Sequence, residues 1–475
     1  MVLYWIMKVN PSIFRTYDVR GRYPEELNEE VASGIAAAFV KLYPHVRTLL
    51  VAHDTRPSSP SLAKAIRDAF QGLGRDVVDL ALAPDPLFYY TLFYYGHDGG
   101  IMVSGSHNLG SFNGLSMSVK RQGEEYASDV ISGELERIKE LVEQGGDAEK
   151  PAAPGVIERK DPAEEYARYV ADKVRLQRPL SVVIDSGNGA MGYLPEKVFA
   201  KLGCKVTTLY GEYDGTFPNH VPDPYQEENL KDLKEAVVRE QADVGFAYDA
   251  DGDRVAIVDG RGRPVSGDFA MLMLARQAVE KKKGPVVHDV RVSKAFLDEM
   301  ARLGVETHFS VSHHNAVIKK IQETKAVFGG EITLHFIFPL DYYPVDDALF
   351  ASLKLAAIAS AQEDFAAFVD SLPRYEASPE LFIEVADEKK VALVSTIVSH
   401  IKEKGYSLVD VDGARVQLDK GWALLRAANT SPHVKCRFEG ETKKDLQEIE
   451  RTFLALFKQL GVPVTKEHER ELGLA

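Results

Sequence analysis

The segment Tyr248-Asp249-Ala250-Asp251-Gly252-Asp253-Arg254 places three aspartates at alternate positions directly after an apolar run. Such carboxylates repel one another and are stabilised when they converge on one hard divalent cation. A calcium EF-hand needs glycine at its sixth position and glutamate at its twelfth, where Arg254 and Gly260 stand when counting from Asp249. Magnesium fits better, since a site with few carboxylates leaves coordination positions for water or phosphate oxygen. The alternative is an exposed acidic turn neutralised by Arg254.

A second polar segment, Ser104-Gly105-Ser106-His107-Asn108, follows the apolar run 101–103. A serine-rich loop whose hydroxyls cap the following turn is one interpretation of this pattern. A Ser/His hydrolase is not favoured, because the neighbouring side chains of Ser106 and His107 are expected to point apart and the sequence has no Gly-x-Ser-x-Gly elbow. The role of the segment therefore depends on what else lies near it.

Apolar periodicity predicts the elements that must position these two segments. Helical spacing and short apolar runs alternate along most of the chain, which indicates α/β architecture. Helices are predicted at 27–42, 61–73, 194–202, 229–240 and 293–303, and strands at 49–52, 76–81, 100–103, 180–184, 206–209, 243–247 and 285–288. The serine segment and the acidic segment each follow a predicted strand.

The pattern changes to α+β from about residue 375. Short β-like runs are predicted at 381–385, 423–426 and 434–438, with helices at 390–404 and 443–460. Candidate boundaries between domains are 145–155, 259–262 and 372–373. Together these features predict four domains, at 1–155, 156–259, 260–373 and 374–475.

Composition matches a globular protein of several domains, since 45% of the 475 residues are hydrophobic and 27% are charged. The net charge of −14 disfavours nucleic acid as a partner, because phosphate backbones need basic surface. The two cysteines form no disulfide framework or zinc pattern, so a reducing compartment is expected. No apolar run approaches the ~18 residues of a membrane-spanning helix, and the N-terminal residues lack signal-peptide features. A cytoplasmic location without a membrane partner is predicted.

Six segments, in order along nearly the whole chain, resemble the motifs of the α-D-phosphohexomutases, the phosphomannomutase/phosphoglucomutase family. The serine segment with Asn113-Gly114 is similar to the family's phosphoserine loop, Thr-Ala-Ser-His-Asn-Pro followed by Asn-Gly. Residues 330–335 resemble the sugar-selecting loop Gly-Glu-x-Ser-Gly-His. Residues 426–432 resemble the C-terminal phosphate loop Arg-x-Ser-Asn/Gly-Thr-x-Pro. The other segments that resemble family motifs are 14–21, 213–224 and 249–254.

The resemblance implies three consecutive α/β mutase domains and a C-terminal α+β domain around a central active-site cleft. In order, they would carry the phosphoserine loop, the metal, the sugar and the substrate's phosphate. The implied reaction is reversible transfer of a phosphoryl group between the 1- and 6-positions of a hexose phosphate, mannose or glucose, through a 1,6-bisphosphate. Ser106 would carry the phosphoryl group and complete the coordination of Mg²⁺ by Asp249, Asp251 and Asp253. Hexose 1,6-bisphosphate would be the activator, and the protein would be a monomer or small homo-oligomer.

The resemblance also implies roles for residues outside the metal site. Arg20 and His335 would take part in catalysis, Arg20 by stabilising charge near the phosphoryl group. Residues of four of the motifs would bind the hexose phosphate substrate: Tyr17, Arg254, Glu331, Thr333, Arg426, Asn429 and Thr430.

The chain departs from the family pattern within these motifs. Ser116 stands where the family has a proton-transferring lysine, Leu334 replaces a glycine, and Ala428 replaces a serine whose hydrogen bond is worth about 1 kcal/mol. Three interpretations stay open: a working mutase with shifted acid/base residues, a mutase with altered sugar preference such as a phosphoglucosamine mutase, and a catalytically impaired homologue that binds sugar phosphates. The intact serine and aspartates favour the first two.

Overall fold

A computed structural model of the chain describes residues 9–145, 153–428 and 432–474. The chain divides into two compact units, Met1–Val265 with Asp341–Ala366, and Ser266–Leu340 with Ala367–Ala475. The described residues form four β-sheets, of which sheets I and II belong to the first unit and sheets III and IV to the second.

Sheet I positions the serine segment. It contains β1 to β7, at Val19–Arg22, Thr48–His53, Asp76–Leu82, Gly99–Val103, Phe112–Val119, Ser128–Asp129 and Ile157–Arg159. The strand order is β1-β5-β4-β2-β3-β7, with β6 paired to β5. Strands β2, β3, β4 and β7 are parallel, whereas β1, β5 and β6 are antiparallel to their neighbours. The segments that follow β2 and β4 therefore leave the sheet at the same edge.

Four helices accompany sheet I: α1 (Glu29–Leu42), α2 (Ser59–Gly72), α3 (Asp85–Tyr94) and α4 (Gly133–Gln144). Helix α1 begins after Asn28, whose side chain accepts a hydrogen bond from Val31 N–H. The apolar faces of α1, α2 and α4 form one core with sheet I, in which Ile35, Phe39 and Phe70 are fully buried. This core holds the strand ends that carry the loops of the site.

Sheet II positions the acidic segment. It contains β8 to β12, at Ser181–Asp185, Lys205–Leu209, Val244–Tyr248, Val255–Asp259 and Pro264–Val265, in the order β12-β11-β10-β8-β9. Strands β8, β9 and β10 are parallel, and β10 turns back into the antiparallel β11. The accompanying helices are α5 (Ala163–Ala171), α6 (Leu194–Lys201) and α7 (Lys231–Arg239). Two 3₁₀ helices are at Pro11–Ile13 and Glu227–Leu230.

In the second unit, sheet III contains β13 to β16, at Val286–Asp289, Thr307–Ser310, Phe328–Gly330 and Phe336–Ile337, in the order β14-β13-β15-β16. Its first three strands are parallel. Helices α8 (Gly267–Lys281), α9 (Lys294–Arg302) and α10 (His314–Thr324) accompany it. Helix α11 (Ala348–Ser360) belongs to the first unit, and α12 (Phe365–Asp370) follows it along the chain.

Sheet IV is antiparallel throughout its described strands. It contains β17 to β22, at Glu376–Ala377, Leu381–Glu384, Ser407–Val409, Ala414–Leu418, Gly421–Ala427 and His433–Gly440. Helices α13 (Asp387–Glu403), α14 (Lys443–Gln459) and α15 (Lys466–Glu471) complete this region. The sheet and helices share one buried core that includes Ile397, Phe438 and Phe457.

The predicted α/β alternation and the α+β tail are confirmed by these elements. The predicted helix 229–240 differs slightly, because its first turn is the 3₁₀ helix Glu227–Leu230 and α7 begins at Lys231. The sequence patterns do not predict eight of the described helices: α3, α4, α5, α8, α10, α11, α12 and α15. Among the described helices, none combines the length and the apolar character needed to cross a lipid bilayer. The domain boundaries stay predictions, and part of the first lies outside the described residues.

Candidate active site

Ser106 lies in the loop that joins β4 to β5. Its backbone φ is +48°, in the left-handed region that side-chain-bearing residues rarely adopt, and the residue is only 8% exposed. Ser106 N–H donates to Ser104 Oγ at 2.9 Å, and Arg20 Nη1 donates to the Gly105 carbonyl at 3.0 Å. Specific hydrogen bonds therefore hold the backbone of this serine in an unusual conformation.

The Ser106 hydroxyl contacts two nitrogen-bearing side chains. Arg254 Nη2 donates to Ser106 Oγ at 2.9 Å, and His107 Nδ1 lies 3.1 Å from the same oxygen. The expectation that Ser106 and His107 point apart is wrong, because the left-handed turn breaks the strand geometry in which successive side chains alternate. Arg254 also donates to His107 Nδ1. Since a guanidinium cannot accept, Nδ1 is the acceptor in this contact.

The acidic segment forms the turn between β10 and β11. Asp249 Oδ1 accepts from Gly252 N–H at 3.0 Å and from Arg254 N–H at 3.1 Å, so the first carboxylate organises the turn. Gly252 has φ +85°, and a Cβ at this position would lie 2.4 Å from Met191 Sδ. Glycine is therefore required here for both backbone conformation and space. The three aspartates stand at alternate positions of the sequence, and this turn brings their carboxylates together.

The three carboxylates are buried, and each offers an oxygen within 4.8 Å of the others. Burial raises the pKa of Asp249 well above its usual range, with further contributions from the charges of Asp253 and Asp251. Burial and the charge of Asp253 likewise raise the pKa of Asp251 to about 6. Arg254 Nε lies 3.1 Å from Asp249 Oδ2 and 3.5 Å from Asp253 Oδ1. One arginine therefore faces a cluster with more negative charge than it can neutralise.

The cluster fits a hard divalent cation. Asp251 Oδ1 is buried and accepts no hydrogen bond from any residue within 9–145, 153–428 or 432–474. Its other oxygen, Oδ2, accepts from Ser104 Oγ at 2.6 Å. An unpaired buried carboxylate oxygen is costly, and a cation with oxygen ligands would satisfy it. Because Ser104 Oγ also accepts from Ser106 N–H, the cluster and the serine loop are joined through one hydroxyl.

Three other residues that the sequence singles out lie in the first unit: Arg20, Tyr17 and Ser116. Arg20 lies on β1 opposite Gly114 of β5, and its Nη2 is 2.6 Å from Asp18 Oδ2. Tyr17 is half-buried in the turn before β1. Ser116, at the position of the family lysine, is half-buried on β5 opposite Met102 of β4. The structure thus brings Arg20 to the Ser106 loop through Gly105.

The predicted sugar-binding residues lie between β15 and β16 of the second unit. His335 Nδ1 is 3.2 Å from Glu331 Oε2. Arg291 Nη2 donates to Thr333 Oγ1 at 3.2 Å and lies 3.5 Å from Glu331 Oε1. Although burial acts to raise the pKa of Glu331, contacts with His335 and Arg291 hold it below its usual value. The structure therefore brings Glu331, Thr333 and His335 together and adds Arg291.

Leu334 keeps the backbone conformation that glycine adopts easily. Its φ is +77° and its side chain is buried. Leu334 N–H donates to Glu331 O at 3.0 Å, and Glu331 N–H donates to His335 O at 3.0 Å. These two hydrogen bonds close the turn that carries the predicted sugar-binding residues. The turn keeps this conformation although Leu334 has a bulky side chain where the family has glycine.

Arg426 lies at the end of β21 and is buried. Its Nε donates to Asp412 Oδ2 at 3.0 Å, and in the part of the chain that the structure describes neither terminal nitrogen has a hydrogen-bond partner. Lys390 Nζ donates to the Ala428 carbonyl at 2.6 Å, at the start of the predicted phosphate loop. Asn429 and Thr430 lie outside the described residues. Two cationic side chains thus flank the described part of this loop.

Two residues that the sequence does not identify contact predicted functional residues: Ser104 in the first unit and Arg291 in the second. Ser104 belongs to the singled-out segment, but only the fold shows that its hydroxyl reaches Asp251. Arg291 follows β13 at the carboxyl end of a parallel strand. This position could have identified it, because side chains that bind ligands in α/β sheets cluster at such strand ends.

Four family models match the chain, and together they span most of its length. They are described as Phosphoglucomutase/phosphomannomutase alpha/beta/alpha domain I, matching residues 11–147, domain II, matching 164–262, and domain III, matching 266–375. The C-terminal domain of the same family matches residues 380–456.

Relatives and solved structures agree with these matches. A phosphomannomutase/phosphoglucomutase of Pseudomonas aeruginosa is 32% identical, covering 93% of this chain and 94% of its own length. A probable phosphoglucosamine mutase of Methanothermobacter thermautotrophicus is 31% identical, covering 93% of this chain and 97% of its own. The crystal structure of a Burkholderia thailandensis phosphoglucomutase/phosphomannomutase family protein superposes with a TM-score of 0.88 at 30% identity, covering 96% of this chain and 99% of its own. The chain therefore belongs to the phosphoglucomutase/phosphomannomutase family and is a phosphohexomutase, an isomerase that works by phosphoryl transfer.

Proposed function

We propose that this chain transfers a phosphoryl group reversibly between the 1- and 6-oxygens of glucose and mannose phosphates, with Ser106 as the carrier. The observation that supports this most directly is the position of Ser106. Its Oγ accepts a hydrogen bond from Arg254, and its backbone N–H is joined through Ser104 Oγ to Asp251 of the aspartate cluster. The domain matches and the names of the relatives support the same reaction class.

The reaction we infer has two balanced steps. In the first, a sugar hydroxyl attacks the phosphorus on Ser106; its O–H proton is lost to a base, the new P–O bond forms, and the P–Oγ bond breaks. Ser106 Oγ regains a proton, and a hexose 1,6-bisphosphate results. In the second, Ser106 Oγ loses its proton to a base and attacks the phosphorus at the other position. The new P–Oγ bond forms, the bond from phosphorus to the sugar oxygen breaks, and that oxygen gains a proton, which leaves the isomeric hexose phosphate. Arg254, 2.9 Å from Ser106 Oγ, would stabilise charge on the transferring group.

Mg²⁺ is the cation we assign to Asp249, Asp251 and Asp253, with phosphorylated Ser106 as a further ligand. When bound, Mg²⁺ supplies positive charge that offsets the phosphate and the three carboxylates. The buried Asp251 oxygen without a hydrogen-bond partner in the described structure supports this assignment. Hexose 1,6-bisphosphate would be the activator, since it can transfer a phosphoryl group to unphosphorylated Ser106.

We assign the remaining residues to the substrate. Glu331 and Thr333 would bind sugar hydroxyls, and Arg426 with Asn429 and Thr430 would bind the phosphate that is not transferred. Tyr17 would contact the sugar, Arg20 would stabilise charge near Ser106, and His335 would move a proton. The Glu331–His335 contact of 3.2 Å supports a proton-transfer role for His335, because a carboxylate orients an imidazole and stabilises its charged form.

We also infer that the enzyme works in the cytoplasm on small sugar phosphates rather than on nucleic acid. Both cysteines, Cys204 and Cys436, are buried and unpaired with each other, as suits a reducing compartment. The net charge of −14 gives no general attraction for nucleic acid.

A substrate panel followed by ³¹P NMR tests the proposal. Protein loaded with Mg²⁺ and primed with glucose 1,6-bisphosphate is incubated with the 1-phosphates of glucose, mannose and glucosamine. We expect 6-phosphate signals from glucose and mannose. Faster turnover of glucosamine 1-phosphate would favour the phosphoglucosamine mutase alternative, which the Methanothermobacter thermautotrophicus relative supports. Binding of the sugar phosphates without any turnover would support the alternative of a catalytically impaired sugar-phosphate-binding protein. This alternative stays open because Ser116 stands where the family has a proton-transferring lysine.

A further inference from the structure

Arg56 is a fully buried arginine in the segment between β2 and α2. A guanidinium has five N–H donors, and here five acceptors lie within hydrogen-bond distance. Nε donates to Asp54 Oδ2 at 2.9 Å. The two terminal nitrogens donate to four backbone carbonyls of the segment 106–112: Nη2 to Ser106 O at 2.6 Å and Asn108 O at 2.6 Å, and Nη1 to Leu109 O at 2.7 Å and Phe112 O at 3.0 Å.

Asp54 extends these contacts to the residue before Ser106. Its Oδ2 accepts from Gly105 N–H at 3.0 Å in addition to Arg56 Nε. Its Oδ1 accepts from Arg56 N–H at 3.0 Å and from Ser59 Oγ at 2.5 Å. The pair therefore binds backbone on both sides of the Ser106 side chain. Because β2 and β4 are parallel neighbours, their carboxyl ends place Asp54 and Arg56 beside the serine loop.

Neighbouring residues pack closely around both the guanidinium and the backbone of Arg56. A Cβ on Gly105 would lie 2.4 Å from Arg56 Cζ, and a Cβ on Gly215 would lie 2.4 Å from Arg56 Cα. The ring of Phe217 is 5.3 Å from Arg56 Cζ. Arg56 is thus enclosed and has all its donors occupied by protein, so it does not act as a ligand for substrate phosphate.

We propose that Arg56 is a positioning residue, which sets the direction of the Ser106 hydroxyl by binding the carbonyl oxygens of its loop. This inference rests on the proposed role of Ser106 as phosphoryl carrier. The left-handed backbone at Ser106 is unfavourable for a residue with a side chain, so it needs such external support. The hydrogen bonds of Arg56 and Asp54 on both sides of Ser106 supply it.

The variant Arg56→Lys keeps the charge but has three donors on a flexible stem instead of a planar fork. We expect kcat to fall by about 100-fold, because a ~1 Å misplacement of a reacting group slows a reaction by about this factor. KM for the hexose phosphate should change by less than about 3-fold, because the substitution removes no contact with the substrate. Single-turnover transfer from phosphorylated Ser106 to substrate should slow by the same factor as kcat.

Arg121→Lys is the matched control. Arg121 lies just beyond the opposite end of β5, and it also donates to a carboxylate, Glu134, and to backbone carbonyls, those of Ser128 and Asp129. It makes no contact with the serine loop among the hydrogen bonds of the described residues. We expect this variant to keep the wild-type kcat, and thermal unfolding of both variants measures how much stability each one loses.

The outcomes separate this inference from the proposed function. If wild-type protein fails to accept a phosphoryl group on Ser106, the proposed function fails. If the wild type is phosphorylated and active but Arg56→Lys keeps its kcat, Arg56 is only structural and the inference is overturned. An equal loss of kcat in Arg56→Lys and Arg121→Lys would also overturn it, since a general loss of stability would then explain the effect.

Discussion

Ser104 joins the aspartate cluster to the backbone of Ser106. Its hydroxyl donates to Asp251 Oδ2 at 2.6 Å and accepts from Ser106 N–H at 2.9 Å. A hydroxyl can do both at once, whereas an amide or a carboxylate side chain of similar size cannot do so with one atom. The position of a proposed metal ligand and the position of the proposed carrier are therefore coupled through one oxygen.

Replacing Ser104 tests this coupling. We expect Ser104→Ala to lower kcat by about 10- to 100-fold, because two buried hydrogen bonds, each worth about 1 kcal/mol or more, are lost. Ser104→Thr keeps the hydroxyl and should retain most of the activity. Steady-state rates and thermal unfolding of both variants check the prediction, and equal activity in the alanine and threonine variants would contradict it.

Replacing Asp251 tests the metal assignment. We expect Asp251→Asn to weaken Mg²⁺ binding and to abolish phosphoryl transfer without unfolding the protein. Folding should tolerate the change, because the amide removes a buried charge and can still accept from Ser104. Calorimetric titration with Mg²⁺ and circular dichroism check the two parts, and unchanged Mg²⁺ affinity would show that the cation binds elsewhere.

At the scale of elements, the β10–β11 turn depends on Gly252, which has φ +85° and where a Cβ would lie 2.4 Å from Met191 Sδ. Gly123, with φ +88°, is a matched control, since among the described residues no atom beyond its two chain neighbours lies within 4 Å of the position of its missing Cβ. Gly123→Ala should cost about 1 kcal/mol from backbone strain alone. Gly252→Ala should cost about 2–3 kcal/mol, because Met191 must also move. Urea unfolding measures both, and equal costs would contradict this account of the turn.

Helix α14 carries a buried acid that makes stability depend on pH. Burial raises the pKa of Glu450 from 4.5 to about 7. Between these values the unfolded chain releases the proton while the folded protein retains it, so stability falls as pH rises through this window. We expect Glu450→Gln to be more stable than wild type by about 2 kcal/mol at pH 8 and no more stable at pH 4.5. Denaturant unfolding at the two pH values checks this, and a pH-independent difference would contradict it.

At the scale of the molecule, the sequence predicts well where strands end, and it predicts poorly which side chains at those strand ends contact one another. The serine and acidic segments follow β4 and β10 as expected, because short buried strands have a clear apolar pattern. Helix α3 was not predicted, because eight of its ten residues are buried and it therefore lacks a polar face with helical spacing. The roles of Arg56 and Ser104 could not be predicted, since their partners are brought close only by the sheet register and the fold.

Charge is distributed unevenly over the molecule. The chain carries a net charge of −14, yet the residues proposed to handle phosphate include Arg20, Arg254 and Arg426. Each of these arginines is paired with an aspartate: Asp18, Asp249 and Asp412 respectively. These local pairs hold the guanidinium groups in place in a protein whose net charge is negative.

The most direct test of the account is to follow one phosphoryl group through Ser106. Wild-type protein is incubated with ³²P-labelled glucose 1,6-bisphosphate and Mg²⁺, digested, and mapped by mass spectrometry; a second sample is chased with unlabelled glucose 1-phosphate. We expect label on the Ser106 peptide, its appearance in glucose 6-phosphate or the bisphosphate during the chase, and no label in Ser106→Ala. Label on another residue, or turnover that persists in Ser106→Ala, would contradict it.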